Sequence, residues 1–187
     1  MNKIETYNFS GDEETYTTIN NAAAVDAGYT DIGHLTTIPS TDHGFKAGTH
    51  IYIQGSVAYN GLKKIQAVAA NTITIYQKYV AETFAGTETL KSMVGFDEPF
   101  ELIGFQFHLS AAGGAGSFIA TLDANAGAAF DVVMHTTDMT AATDVEEWGD
   151  PTGVCPRYFV GGDKIDFTFP NANNKLYGLT VHIRKTS

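Results

Sequence analysis

Glu101-Leu102-Ile103-Gly104-Phe105-Gln106-Phe107-His108-Leu109 is the stretch whose reading decides the fold. Ile103, Phe105, Phe107 and Leu109 fall on one side of an extended chain, with Gln106 and His108 on the other. That period of two marks a strand with one buried face. The pattern recurs outward in both directions. Ile51 and Ile53 alternate with Tyr52 and Gln54 after His50. Ile73 and Ile75 alternate through Tyr76. Ile165, Phe167 and Phe169 alternate with Asp166 and Thr168, and Leu179, Val181 and Ile183 with Thr180, His182 and Arg184. Further strands are predicted over Lys64–Val68, Ser117–Leu122, Ala129–His135, where Phe130, Val132 and Met134 share a face, and Val145–Trp148. Turn residues separate these runs: Asn60-Gly61, Gly113-Gly114-Ala115-Gly116, Asp150-Pro151-Thr152-Gly153, Gly161-Gly162-Asp163 and Asn171–Asn174. The one helix-like patch, Ala22-Ala23-Ala24, meets Gly28 too soon to form a stable helix.

Strands with one apolar face each must bury those faces against one another. The sequence therefore predicts an all-β fold: a small N-terminal β-barrel-like domain over 15–92 and a C-terminal antiparallel β-sandwich, jelly-roll-like, over 93–187. Residues 1–14 are polar, end in Asp12-Glu13-Glu14, and read as an extended N-terminal arm. Charge is divided unevenly: residues 1–92 carry 6 basic and 9 acidic side chains, residues 93–187 carry 5 and 12. The boundary between the two domains is expected near Gly86–Gly95.

Composition excludes several classes. The 187 residues are 43% hydrophobic and only 17% charged, enough for a buried core without staples. A net charge of −10 argues against nucleic acid and against anionic membrane surfaces as partners. The single cysteine, Cys155, excludes an internal disulfide and a cysteine-rich zinc site, and between Val154 and Pro156 it reads as an inert buried thiol. No apolar run approaches the roughly 20 residues of a membrane span. Met1-Asn2-Lys3-Ile4-Glu5 lacks the apolar core of a signal peptide, so folding in a reducing cytoplasm is expected.

Signals for catalysis are weak. No Gly-x-Ser-x-Gly turn occurs, and no Gly-Lys-Ser/Thr follows the glycines at 113–116. Asp123, Asn125 and Asp131 resemble a calcium loop only superficially, since Gly127 stands where a ligand belongs and no Glu closes the loop. Asp42, His43 and His50 are close in sequence but supply too few converging groups for zinc. His108, His135 and His182 read as half-exposed strand histidines. The carboxylate pairs Glu98 with Glu101 and Glu146 with Glu147 are what an acidic chain holds by number alone. No enzyme activity, cofactor or metal is predicted.

Most phenylalanines fall on apolar faces. Tyr52, Tyr59, Tyr76 and Tyr79 are assigned to the outer face of the first domain, where tyrosines often serve interfaces. Extended, the arm would place Tyr7 and Phe9 on one face and Ile4 on the other, suited to strand addition on a neighbour's sheet edge.

Ile19-Asn20-Asn21-Ala22-Ala23-Ala24-Val25-Asp26, His43-Gly44-Phe45-Lys46-Ala47-Gly48, Tyr59-Asn60-Gly61 and Tyr79–Glu88 together resemble a small β-barrel module of tailed-bacteriophage structural proteins. Leu102-Ile103-Gly104, His108–Ala112, Thr121-Leu122-Asp123, Gly127–Asp131, Gly162-Asp163-Lys164 and Tyr177-Gly178-Leu179 are similar to a phage β-sandwich module. The resemblance spans roughly residues 19–183 and carries no catalytic motif. It implies a non-enzymatic virion structural protein, made in the host cytoplasm and working in the virion. Capsid decoration or cement is the first role it suggests. The implied partners are other virion proteins, first the major capsid protein, and then a second copy of the chain as a homo-oligomer. The candidate interface residues are then Ile4, Tyr7, Phe9, Tyr52, Tyr59, Tyr76 and Tyr79. A tail, adaptor or fibre-associated component is a second structural option. A carbohydrate-binding host-attachment module is an alternative of a different class, with Trp148 and Tyr158 as its glycan contacts.

Overall fold

The computed structural model describes residues 3–148 and 158–185. Cys155 and the turn at 150–153 lie outside the described residues. The chain is all-β and its sheets are antiparallel, as the alternation predicts. In order, the strands are β1 (Ile4–Gly11), β2 (Tyr16–Thr18), β3 (Val25–Thr30), β4 (Gly33–Pro39), β5 (His50–Gln54), β6 (Gly61–Ala69), β7 (Thr72–Tyr76), β8 (Thr89–Lys91), β9 (Met93–Gly95), β10 (Phe100–Leu109), β11 (Ser117–Asp123), β12 (Val132–Asp138), β13 (Asp144–Trp148), β14 (Tyr158–Phe159), β15 (Lys164–Thr168) and β16 (Tyr177–Lys185).

The described strands form three sheets. One runs β1-β16-β10-β13, with β14 also on β10. A second runs β12-β11-β15-β9. These two face each other across one core, in which Phe105 and Phe107 of β10 meet Phe118 of β11, Phe167 of β15 and Phe169. The third runs β2-β8-β5-β6-β7-β4-β3 and folds round its own core of Ile38, Ile51, Ile53, Ile65, Ile73 and Ile75. β6 bends this sheet: Gly61–Lys64 pair with β5, and beyond a bulge near Ile65 the strand pairs with β7. Past β2, Asn20 N–H donates to the Pro39 carbonyl at 2.9 Å, and the Ser40 hydroxyl donates to the Thr18 carbonyl. These bonds draw the two ends of the sheet together.

The N-terminal segment departs from expectation. It is extended, but it is not a free arm: β1 pairs antiparallel with β16 in unbroken register from Ile4↔Arg184 to Gly11↔Tyr177. Alternation does the placing. Phe9 enters the core of the facing sheets and Tyr7 packs at its margin, while Ile4 points to solvent on the other side. The reason is simple: β16 has β10 on one side only, and an unpaired strand beside a core invites a partner. The chain therefore makes a terminal lobe from both of its ends, β1 and β9–β16. Residues 12–92 are an inserted lobe between β1 and β9.

The entry and exit of the insertion are adjacent. Ser92 N–H donates to the Thr15 carbonyl at 2.8 Å, and the Thr15 hydroxyl accepts from Phe169 N–H at 2.8 Å. Lys91 reaches from the exit to Asp166 of β15 at 2.8 Å. Gly11 lies against the Tyr177 ring, and a Cβ there would meet Cε1 at 2.9 Å, so this crossing admits no larger residue.

Two smaller departures have local causes. A bulge between Leu102 and Gly104 turns the alternation of β10, so Phe100 and Leu102 join Phe105, Phe107 and Leu109 inside while Ile103 leaves the core. Phe130 lies in a one-turn 3-10 segment, Ala128–Phe130, and is exposed, as is Val132, so of the three only Met134 packs against the core.

Phe9→Ala should lower stability by about 3–5 kcal/mol in urea unfolding, the usual cost of emptying a buried phenylalanine site. A change below about 1 kcal/mol, as at an unattached terminus, would contradict the pairing. A chain joining residues 1–15 to 92–187 through two glycines should unfold cooperatively, whereas 93–187 alone should not. Equal melting of the two would show that β1 is dispensable.

Candidate functional site

The outer face of β5 turns toward the other lobe. Ile51 and Ile53 fill the inserted lobe, so His50 and Tyr52 point the other way, toward the terminal lobe. Tyr7 stands edge-on to His50 at 5.5 Å between ring centres, Phe9 lies 6.3 Å from the same ring, and Tyr7 also touches Phe96. Leu62 of β6 packs against the terminal lobe's core. Beside this seam the lobes leave a cleft of about 780 Å³. That is a size and a place typical of ligand sites.

The cleft is electrically unlike the rest of the molecule. Lys63, Lys64, Lys164 and Lys185 line it, four of the chain's 11 basic residues, against only Asp97 and Glu98 among 21 acids. Lys185 bonds Glu98 at 2.9 Å and lies 4.6 Å over the Phe96 ring, and Lys164 lies 3.6 Å from Asp123. Lys63 and Lys64 have no acidic partner within 4.0 Å among the described residues. Burial lowers the Lys63 ammonium pKa. It also raises the Tyr52 hydroxyl, with help from Asp97 and Asp123, and raises Tyr7, with help from its hydrogen bond to Glu5. His50 is lowered, chiefly by burial and further by the Lys64 charge, against a bond to Asn8 that favours the cation. Its Nδ1 lies 3.2 Å from the Asn8 N–H and 3.1 Å from the Asn8 carbonyl, accepting from the first when bare and donating to the second when protonated. The lining offers ammonium groups, two carboxylates, side-chain amides, the His50 ring and two tyrosine hydroxyls. Its chemistry is that of recognition by charge and hydrogen bonds.

The residues singled out from sequence fall in several places. Tyr7 and Tyr52 line the cleft, and Phe9 is core beneath it. Tyr52 does lie on the outward face of its own sheet, but the other lobe covers that face and leaves it 9% exposed. Tyr59 is corrected from surface to core: its ring packs on Phe84, and its hydroxyl donates to the Val80 carbonyl and accepts from Val80 N–H. It stands just before the Asn60-Gly61 turn, where alternation gives no face. Tyr79 packs against the same core, and Tyr76 is half-buried. Ile4 is exposed. Tyr158 is exposed on β14, and Trp148 ends β13. The backbones of these two meet β10 at Glu101 and Gly104, along one edge.

The polar candidates serve turns and strands. Asp131 accepts from Ala124 N–H, while Asp163 accepts from Asn125 and Val160 N–H, tying together the loops at 124–131 and 160–163. His43 is buried with Nε2 on the Ala69 carbonyl, and His108 pairs with Asp144 at the surface. Glu101 bonds Arg184 across β10 and β16. Among the described residues, no three His, Cys, Asp or Glu side chains converge where a metal ion would sit. Sequence reading missed Lys63, Lys64, Lys164 and Lys185. The doublets Lys63-Lys64 and Arg184-Lys185 were a visible signal, yet nothing in one dimension brings them to one cleft.

No family model matches the chain, and neither a curated protein nor a solved structure matches it.

Because the folded pKa of His50 lies below its unfolded value, the unfolded chain binds more protons in that window, and stability rises with pH. Stability should therefore fall as pH drops through about 6.5, before carboxylates titrate. His50→Gln should flatten the urea-unfolding curve between about pH 7 and 5. An unchanged slope would remove His50 from the seam's energetics.

Proposed function

We propose that this is a non-enzymatic virion structural protein of a tailed bacteriophage, acting as a capsid decoration or cement protein. The lobes are read as a barrel-like insertion in a jelly-roll-like sandwich. Two facing sheets ordered β1-β16-β10-β13, with β14 also on β10, and β12-β11-β15-β9 support that reading, because most successive strands cross between the sheets as in a jelly roll. The sequence resemblance points to the same class.

The observation that carries the role is a pair of separate apolar surfaces, one on each lobe. On the inserted lobe, the β3–β4 hairpin exposes Tyr29 (69%) and Ile32 (80%) at its tip. On the terminal lobe, Phe130 (62%), just before β12, and Val133 (60%), on β12, are exposed at an open sheet edge. A protein with an adhesive site on each of two lobes suits clamping two neighbouring shell subunits. The hairpin itself carries Asp26 and Asp31 and no lysine or arginine, so it fits a basic-rimmed partner surface.

The test is copy number. Quantitative mass spectrometry of purified virions should find this chain at a stoichiometry comparable to the major capsid protein, and Ile32→Ser with Tyr29→Ser should reduce that occupancy at least tenfold. A few copies per particle would instead support the tail or adaptor role.

A further inference from the structure

We propose that the cleft between the lobes binds an extended acidic peptide segment of a protein partner, with Lys63 and Lys64 as its charge contacts. The argument stands whether or not the partner is a capsid protein. In a chain of net charge −10, this one cleft gathers four lysines and two carboxylates. Lys185 and Lys164 are already engaged by Glu98 and Asp123, which leaves Lys63 and Lys64 to meet an incoming anion. Lys64 disfavours charge on His50, so a carboxylate beside Lys64 relieves that conflict.

The remaining lining selects a peptide. The Asn60 and Asn125 side-chain amides make no hydrogen bond among the described residues, and each presents the paired donor and acceptor that match a peptide group. A carbohydrate would need an open aromatic face. None is offered: Tyr52 is nearly buried, Tyr7 is packed between His50 and Phe96, and Lys185 covers the Phe96 ring.

Fluorescein-labelled hexaglutamate, titrated against the full chain at low salt, should give saturable anisotropy that unlabelled hexaglutamine does not compete away. Lys63→Gln with Lys64→Gln should weaken binding at least tenfold. Lys78→Gln with Lys175→Gln, which removes the same charge away from the cleft, should leave it within twofold. On the unaltered protein, hexaglutamate should shift amide resonances of 60–64, 95–98 and 162–164, a readout that survives if the double variant fails to fold. Equal losses in both variant pairs, no saturable binding, shifts elsewhere, or tighter binding of an oligogalacturonate would each overturn the proposal.

Discussion

The backbone pairing of Ile4–Gly11 with Tyr177–Lys185 closes the molecule on itself. It supplies the edge of one sheet and brings Phe9 into the core. By placing both chain ends in one lobe, it also turns residues 12–92 into an insertion. Loop-closure entropy opposes a contact between the two ends of the chain, so the pairing needs the rest of the terminal lobe in place to reward it. β16 must already lie on β10 before β1 has a template. Assembly of this lobe should then be a late, cooperative step, as in other folds built on distant strand pairs.

The insertion also covers a liability. β1 and β9 are the outer strands of the two facing sheets on one side, and exposed strand edges invite wrong pairing. Backbone bonds from Ser10 and Gly11 to the Phe45–Lys46 stretch, and the contacts of Tyr7, His50, Leu62 and Phe96, lay the inserted lobe along that side. At the opposite side the edges differ. β13 carries Asp144, Glu146 and Glu147, whose charge discourages a further strand, whereas β12 begins with exposed Val132 and Val133 and bears no charge before Asp138. The cleft is a by-product of two convex lobes meeting at a narrow crossing. The lysines along it make that space richer in basic side chains than the molecule as a whole.

Strand positions were legible from sequence wherever alternation was unbroken, as in His50–Gln54, Lys164–Thr168 and the last strand. Alternation is a local property, set by successive side chains pointing to opposite faces. What it cannot carry is partnership. Tyr7 and Phe9 were read correctly as sharing a face, yet the edge they join lies some 170 residues away in the same chain, and nothing local distinguishes it from a neighbour's. Local reading also failed where a bulge reset the period, at Ile103, and beside a turn, at Tyr59, where core membership depends on a hydroxyl reaching Val80. The cleft was the least legible feature, because its lining comes from β5, β6 and Asn60 in one lobe and from β1, β9, β15, β16 and loop residues 96–98, 125 and 162 in the other. Two of its aromatics were marked for interfaces, but the lysines that set its charge were not.

Native-state hydrogen exchange on the isolated, full-length protein tests the closure of the chain most directly. If the first strand is built into the sheet, the hydrogen-bonded amides of residues 4–11 should exchange only through large-scale opening, with protection within about tenfold of that in β16 and β10. Exchange of residues 4–11 at the rate of a free peptide, while β10 and β16 stay protected, would contradict the account and return the segment to an arm.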